Sequence, residues 1–437
     1  MVNKLVSVLL ASVLAVSLIA CGDISNTSVS QQTGKPAAEE TAADPSLSPS
    51  ESSADDPKEA SAEASSERDF RIGIVTGSYS QSEDDRRGAE AFQEKYGAEN
   101  VTLAIYPDNF TEEADTTVQT IVNLADDPSI KAIIVNQAVD GTAEAFRQIK
   151  EKRPDVLCIA GEAYEDFSDI SPVADLVVNS DFVGRGYLII RSAHELGCDT
   201  FVHISFPRHR SYEAVSRCIA VMQAACEEFG MKFEMETAPD PTTEVGVPGA
   251  QSFILEHTPE WVEKYGQKSA YYCTNDAHTE PLIKSLLEYG GYFIEADLPS
   301  PLMGYPGALD LDLSGDAGDF EKILSKVENA VVEKGGAGRF GTWAYSYGYT
   351  GSAGLAEHAR NVILGKSDLT DISDLSTAYG VFSPGADWNG SMYTDAATGV
   401  KTDNTFLIYQ DTYIFGDPGH YMGSTKVEIP EEYFTIQ

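Results

Sequence analysis

From Arg71 onward, short apolar runs alternate with amphipathic stretches, and this alternation leaves few architectures open to the chain. Arg71–Thr76 reads as a strand, 89–96 as a helix stopped by Gly97, Val101–Tyr106 as a strand and 113–125 as a helix. Lys131–Val135, Val156–Ala160 and Leu176–Val178 continue the strands, with a helix over 143–152. The rhythm then restarts with a strand at Thr200–Ile204, a helix over 212–229 and a strand at Lys232–Glu236. A helix near 253–264, a strand at Ser269–Cys273, a helix at 281–289 and a strand at Tyr292–Ile294 complete it. Strands of about five residues, apolar on both faces and separated by helices, belong to parallel sheets covered on both sides. Two successive half-chains of comparable size predict an α/β protein with two lobes. Ligands are then expected at the carboxyl ends of the strands.

The segment before Arg71 is of another kind. Lys4 precedes an uncharged apolar stretch, Leu5–Ile19, which ends Leu18-Ile19-Ala20-Cys21-Gly22. That ending resembles the bacterial lipobox, so 1–20 is predicted to be a signal peptide and Cys21 the acylated (palmitate-bearing) first residue. The expected location is the extracytoplasmic face of the cell membrane, held by that lipid anchor. Residues 21–69 follow as a tether of Ser, Ala, Glu, Asp and Pro, too poor in large apolar groups to offset the entropy of ordering.

The formal net charge of −39 repels phosphate backbones, which excludes nucleic acid as an expected partner. Beyond Cys21, the cysteines at 158, 198, 218, 226 and 273 are odd in number, irregularly spaced and without a C-x-x-C pair. They predict buried free thiols, not a disulfide framework or a zinc site.

Several stretches resemble the type I periplasmic binding proteins, the group of ribose-binding proteins and the effector domains of sugar-responsive repressors. Arg71-Ile-Gly-Ile-Val75 is similar to the opening strand, and Val177-Val-Asn-Ser-Asp181-Phe-Val-Gly184 to the turn that enters the second lobe. Ser205-Phe-Pro207, Tyr212 to Arg217 and Gly230 are similar to the next strand, loop and helix. Tyr272-Cys-Thr-Asn275-Asp276-Ala277, through Leu282 to Gly290, and Gly351–Gly365 complete the match. The resemblance implies two Rossmann-like lobes with parallel sheets and a hinge cleft, and places the chain in an uncharacterised Gram-positive branch of that superfamily. The expected division is 70–181 plus 343–368 for the first lobe, and 182–342 plus 369–437 for the second lobe with a C-terminal extension.

On that topology the cleft draws its ligand contacts from loops at strand ends. Thr76, Ser78 and Tyr79 follow the first strand, Asn136 and Gln137 the third, and Glu162 the fourth. Asn179, Asp181, Asn275 and Asp276 begin helices, where ligand binding competes with plain N-capping. Arg208 and Arg210 form the cationic cluster of an acidic protein and suit a ligand carboxylate or phosphate. Trp343 and Tyr345 stand in an aromatic run suited to stacking on a ring. Asp310, Asp312, Ser314, Asp316 and Glu321 satisfy the EF-hand calcium spacing, but Ala317 and the missing entry helix favour a capped helix start, so no metal is expected. Ser346 approximates a nucleophile elbow, with His358 or His420 downstream and no clear strand before it.

The expected function is a monomeric, non-enzymatic solute-binding lipoprotein of an ABC-type importer. It would close on a small polar ligand such as a sugar or nucleoside, dock on a membrane permease and need no cofactor. A ligand sensor for a membrane receptor, and less strongly a surface hydrolase, are the alternatives.

Overall fold

The computed structural model describes residues 70–436; the signal-like segment, Cys21 and the tether lie outside the described residues. The first unit contains β1 (Arg71–Thr76), α1 (Tyr79–Tyr96), β2 (Val101–Ile105), α2 (Ala114–Leu124), β3 (Ile130–Asn136), α3 (Thr142–Lys152), β4 (Leu157–Gly161), the single turn α4 (Phe167–Ile170) and β5 (Leu176–Ser180). The second contains α5 (Gly184–Glu195), β6 (Thr200–Ser205), α6 (Glu213–Phe229), β7 (Lys232–Thr237), α7 (Gly246–Tyr265), β8 (Ser269–Cys273), α8 (Asp276–Tyr289), β9 (Tyr292–Phe293), α9 (Tyr305–Leu309) and α10 (Phe320–Glu333). The chain returns through β10 (Gly341–Trp343) to α11 (Tyr347–Ile363), α12 (Ile372–Gly380), β11 (Trp388–Thr394) and β12 (Lys401–Gln410). It closes with β13 (Thr412–Ile414) and β14 (His420–Tyr421).

The first sheet runs β11-β12-β5-β4-β3-β1-β2 and is parallel except for the β11–β12 pair. The second runs β7-β6-β8-β9, all parallel. A small antiparallel sheet, β10-β13-β14, is tied to β9 by a bridge between Phe293 and Phe340. The alternation read from the sequence thus produces the two-lobed α/β class it predicts.

Period-two alternation sends each strand's side chains to two cores. Ile72, Ile74, Ala132, Ile134 and Ile159 pack with Phe92 of α1 and Leu355 of α11, while Val75, Ile133, Val135, Cys158 and Ala160 pack with Ile121 of α2 and Phe146 of α3. Each of these large apolar side chains contributes about 1.5–3 kcal/mol when fully buried. The α1 and α11 helices meet at Gly88, where a β-carbon would stand 2.1 Å from the Tyr349 carbonyl oxygen. In the second lobe Val202, Ile204, Tyr271 and Cys273 face Ile254, Leu282 and Val327. The cysteines at 158, 198, 218, 226 and 273 are free and buried, and burial pushes each thiol up to about 12.

The C-terminal region corrects the expected lobe division. Residues 369–437 were assigned to the second lobe, but β12 pairs in parallel with β5, from Thr405↔Val177 to Ile408↔Ser180, and β11 pairs with β12. The open edge of β5 needs a partner, and Phe406, Leu407 and Ile408 bury their side chains in the first lobe's core. The chain beyond β12 does serve the second lobe: Phe415 enters its core, Tyr413 donates to Glu328, Arg217 donates to the Phe434 and Ile436 carbonyls, and Tyr433 meets Tyr187 edge to face. No helix among the described residues is long and apolar enough to cross a membrane.

Candidate ligand-binding cleft

A cavity of about 540 Å³ lies between the lobes. Its first-lobe wall is the loop 162–167 after β4 and the end of β5 at Asn179 and Ser180; its second-lobe wall comes from α5, His203, 211–218, Tyr272, Thr274, Asp297 and Leu298. A second cavity of about 360 Å³ shares Glu162 and Leu298 with it and is bounded by 81–85, Gln137, 299–303 and 346–348. These walls are strand ends and helix starts, where a parallel α/β sheet presents unpaired polar groups.

Glu162 stands where both cavities meet. Its backbone is left-handed, with φ 43°, unusual for a residue other than glycine. The conformation is held by its own N–H, which donates to the Val178 carbonyl at 2.9 Å, and by its carboxylate, which accepts the Ser180 N–H at 2.9 Å. Burial raises this carboxyl above its ordinary value, against the Ser180 hydrogen bonds. Asn179 lines the cavity while bonding the Ala163 N–H at 2.9 Å and the Ala163 carbonyl at 3.2 Å, which stiffens the same loop.

Asp84 and Asp85 project from α1 just past Ser82, where the helix is broken at φ −148°, ψ 61°. Asp85 accepts the Asn136 side-chain N–H at 2.7 Å. Burial, and then the neighbouring Asp84, push its carboxyl up to about 7. Asp84 is raised by burial too, against a hydrogen bond from Ser346. On the second lobe the Tyr272 hydroxyl donates to Asp297 at 2.6 Å. Asp276 keeps an exposed edge, yet crowding by protein and then nearby Asp297 push its carboxyl up to about 6.

His203 is fully buried in the wall of the larger cavity, and neither ring nitrogen has a hydrogen-bond partner. Burial pushes its imidazole down to about 3, so the ring is neutral. Arg185 also lines the cavity, but its guanidinium is spent on Glu295 at 3.2 Å and on the Ala296 and Asp297 carbonyls.

With this geometry in view, residues 70–341 match the model of a family described as a protein of unknown function, DUF3798. The chain belongs to this family. A second family model matches residues 352–436. Two curated proteins of Treponema pallidum (strain Nichols), both described as uncharacterized, resemble the chain. One is 43% identical over 209 residues, which is 48% of this chain and 94% of the relative; the other is 38% identical over 179 residues, 40% and 81% respectively. Among solved structures, a putative transcriptional regulator from Clostridium difficile 630 superposes with a TM-score of 0.73 at 21% identity, covering 79% of this chain and 99% of that one. The DUF3798 chain has the two-lobed fold of the type I periplasmic binding proteins.

Of the residues expected in the cleft, Gln137, Glu162 and Asn179 line the cavities. Asn136 lies one layer behind, fully buried, and positions Asp85. Thr76 is buried against the Gly77 carbonyl, Ser78 caps α1, and Tyr79 turns outward to Glu90, so the first-strand contacts shift to 81–85. Asp181 caps α5 through the Val183 and Gly184 N–H groups, and Asn275 caps α8 through the Ala277 N–H. Both do what short polar residues do at helix starts.

The expected anion clamp is absent from the cavity lining. Arg208 forks onto Asp240 at 2.7 and 3.0 Å, and Arg210 lines neither cavity. Abundant local carboxylates claim the free guanidinium first. Trp343 and Tyr345 are likewise internal: Trp343 donates to Glu295, and Tyr345 to the Pro384 carbonyl. Aromatic walls come instead from Tyr164, Tyr212 and Tyr272.

The EF-hand-like spacing resolves as local capping. Asp316 is ion-paired to Lys322 and Lys326, Asp312 accepts the Ser314 N–H, and Asp319 caps α10. Ser346 is not arranged as a nucleophile, since His358 turns to the Leu369 carbonyl and His420 lies exposed on β14. Sequence reasoning missed Asp84, Asp85, His203 and Asp297. A histidine inside the apolar run 200–205 was the one available signal for His203.

Proposed function

We propose that this DUF3798 protein is an extracytoplasmic solute-binding lipoprotein of an ABC-type importer, anchored through Cys21 and closing on a small polar solute. The observation that carries the reading is the cavity of about 540 Å³ walled by both lobes, within the about 300–1,000 Å³ typical of small-ligand sites. A ligand touching both walls favours the closed arrangement and tips an equilibrium that costs only a few kcal/mol. The net charge of −39 weighs against a DNA-binding role for the same fold. The lipobox-like run at Leu18–Cys21 supports export and anchoring.

Thermal unfolding of the purified chain against a library of sugars, nucleosides, amino acids and amines tests the binding role. A dose-dependent rise in Tm for one chemical class is expected. No shift with any compound, together with no co-purifying small molecule in native mass spectrometry, would refute it. Anchoring is read separately: labelled palmitate is expected to enter the wild type expressed in a bacterial host but not Cys21→Ala.

A further inference from the structure

The cleft carries more negative charge than the one arginine in its lining offsets. Asp84, Asp85, Glu162 and Asp297 line the two adjoining cavities, and none of the four is ion-paired to a lysine or arginine among the described residues. Elsewhere on the chain, carboxylates take cations readily, as at Arg153–Asp155, Lys150–Asp175 and Asp316 with its two lysines. The one arginine in the lining, Arg185, is neutralised by Glu295. Carboxylates taken from water without an ion-pair partner are costly, and with Arg185 already committed to Glu295 the cost is relieved by whatever cation fills the space.

A second observation points to the same occupant. Fully buried His203 stands in the lining of the larger cavity and leaves both ring nitrogens without a hydrogen-bond partner. A neutral imidazole offers one acceptor nitrogen, which suits an N–H donor. Tyr164, Tyr212 and Tyr272 stand in the same lining, and aromatic rings attract organic cations. No group of three or more His, Cys, Asp or Glu among the described residues converges as a metal would require. The carboxylates are spread along the cleft, as an extended organic molecule would need.

We infer that the solute bound in this cleft is a small organic amine, carried as its ammonium form between Glu162 of the first lobe and Asp297 of the second. This rests on the solute-binding reading and names its ligand class. It reverses the anionic preference that Arg208 and Arg210 suggest in the sequence.

The test is thermal shift and calorimetry on the purified chain at pH 7.5. The probes are putrescine, spermidine, agmatine and tyramine, set against ribose, uridine, glutamate, inorganic phosphate, magnesium chloride and calcium chloride. At least one amine at about 1 mM is expected to raise Tm, less so in high salt. Its affinity is expected to fall about 30-fold or more in Glu162→Gln and in Asp297→Asn. Circular dichroism checks each variant's fold, and the salt dependence of the wild type stands if one variant fails to fold. A sugar, nucleoside, anion or metal ion that binds while every amine is inert overturns the amine assignment and leaves solute binding intact. An amine whose affinity is unchanged in both variants overturns it as well. Silence from every compound, with nothing co-purifying, overturns both readings.

Discussion

Glu295 is the most consequential single side chain to remove. It is 2% exposed just past β9, and its carboxylate accepts from Arg185 Nε at 3.2 Å, Trp343 Nε1 at 3.2 Å and the Thr412 hydroxyl at 2.5 Å. Those three donors stand at the three places where the chain passes between the lobes: after β5, at β10, and after β12. Glu295→Ala leaves the buried Arg185 guanidinium on the Ala296 and Asp297 carbonyls without its ion-pair partner. Stranding one partner of a buried pair costs about 3–5 kcal/mol, which outweighs the roughly 1 kcal/mol for each neutral donor left without an acceptor. Urea unfolding followed by tryptophan fluorescence is the assay, with Trp343 as a reporter beside the lesion. The double variant Arg185→Leu with Glu295→Leu is expected to regain a large part of the loss, because no charge is stranded. A loss below about 1 kcal/mol in Glu295→Ala, or no recovery in the double variant, would refute the electrostatic account.

Three other perturbations probe Asp85, Gly88 and Arg208. Burial pushes the Asp85 carboxyl up to about 7 in the fold against an ordinary 3.8, so it is neutral in both states only well below pH 3.8. As pH rises toward 7 the unfolded chain ionises first and stability falls; above 7 the deficit is constant. Asp85→Asn should flatten that fall by roughly 4 kcal/mol in pH-dependent unfolding, and curves that stay parallel to wild type would contradict it. Gly88→Ala drives a methyl into the Tyr349 carbonyl and is expected to cost about 1–3 kcal/mol by denaturant midpoint, whereas an unchanged midpoint means the helices are free to separate. Arg208→Ala removes a partly exposed pair with Asp240 and should cost under about 1 kcal/mol without changing solute affinity; a lost thermal shift with ligand would put Arg208 in the site after all.

Hydrophobic periodicity made the lobes legible and the cleft nearly invisible, for one physical reason. Strands such as Ile130–Asn136 are apolar on both faces because helices cover both, so their pattern survives in the sequence. The first half of α1 has no such pattern. Its run Ser80–Asp85 faces the cleft or solvent, so the helix could be read only from 89 onward. Asn275 and Asp181 were visible as residues that either cap or bind, and capping took them because a helix start is always nearby. Arg208 was visible as a cation, but its partner Asp240 is 32 positions away and no local rule pairs them. Asp297 gave no signal at all: its role depends on Tyr272 arriving from another strand. The C-terminal strands were misplaced because the identity of the sheet edge they cover is a property of topology.

The pairing of β12 with β5 also sets the order of events during synthesis. Val177 emerges early, but its strand partner Thr405 lies more than half the chain away. Until β12 is made, the first lobe carries an open parallel edge of Val177, Val178 and Asn179, a template for any other extended chain. Such long-range pairing is slow to form because loop closure must precede it. The nascent polypeptide therefore has strong reason to be held unfolded until β12 is available, and a chain stopped near residue 368 would keep that edge for life. Completion of the first sheet waits on a strand made long after the edge it covers.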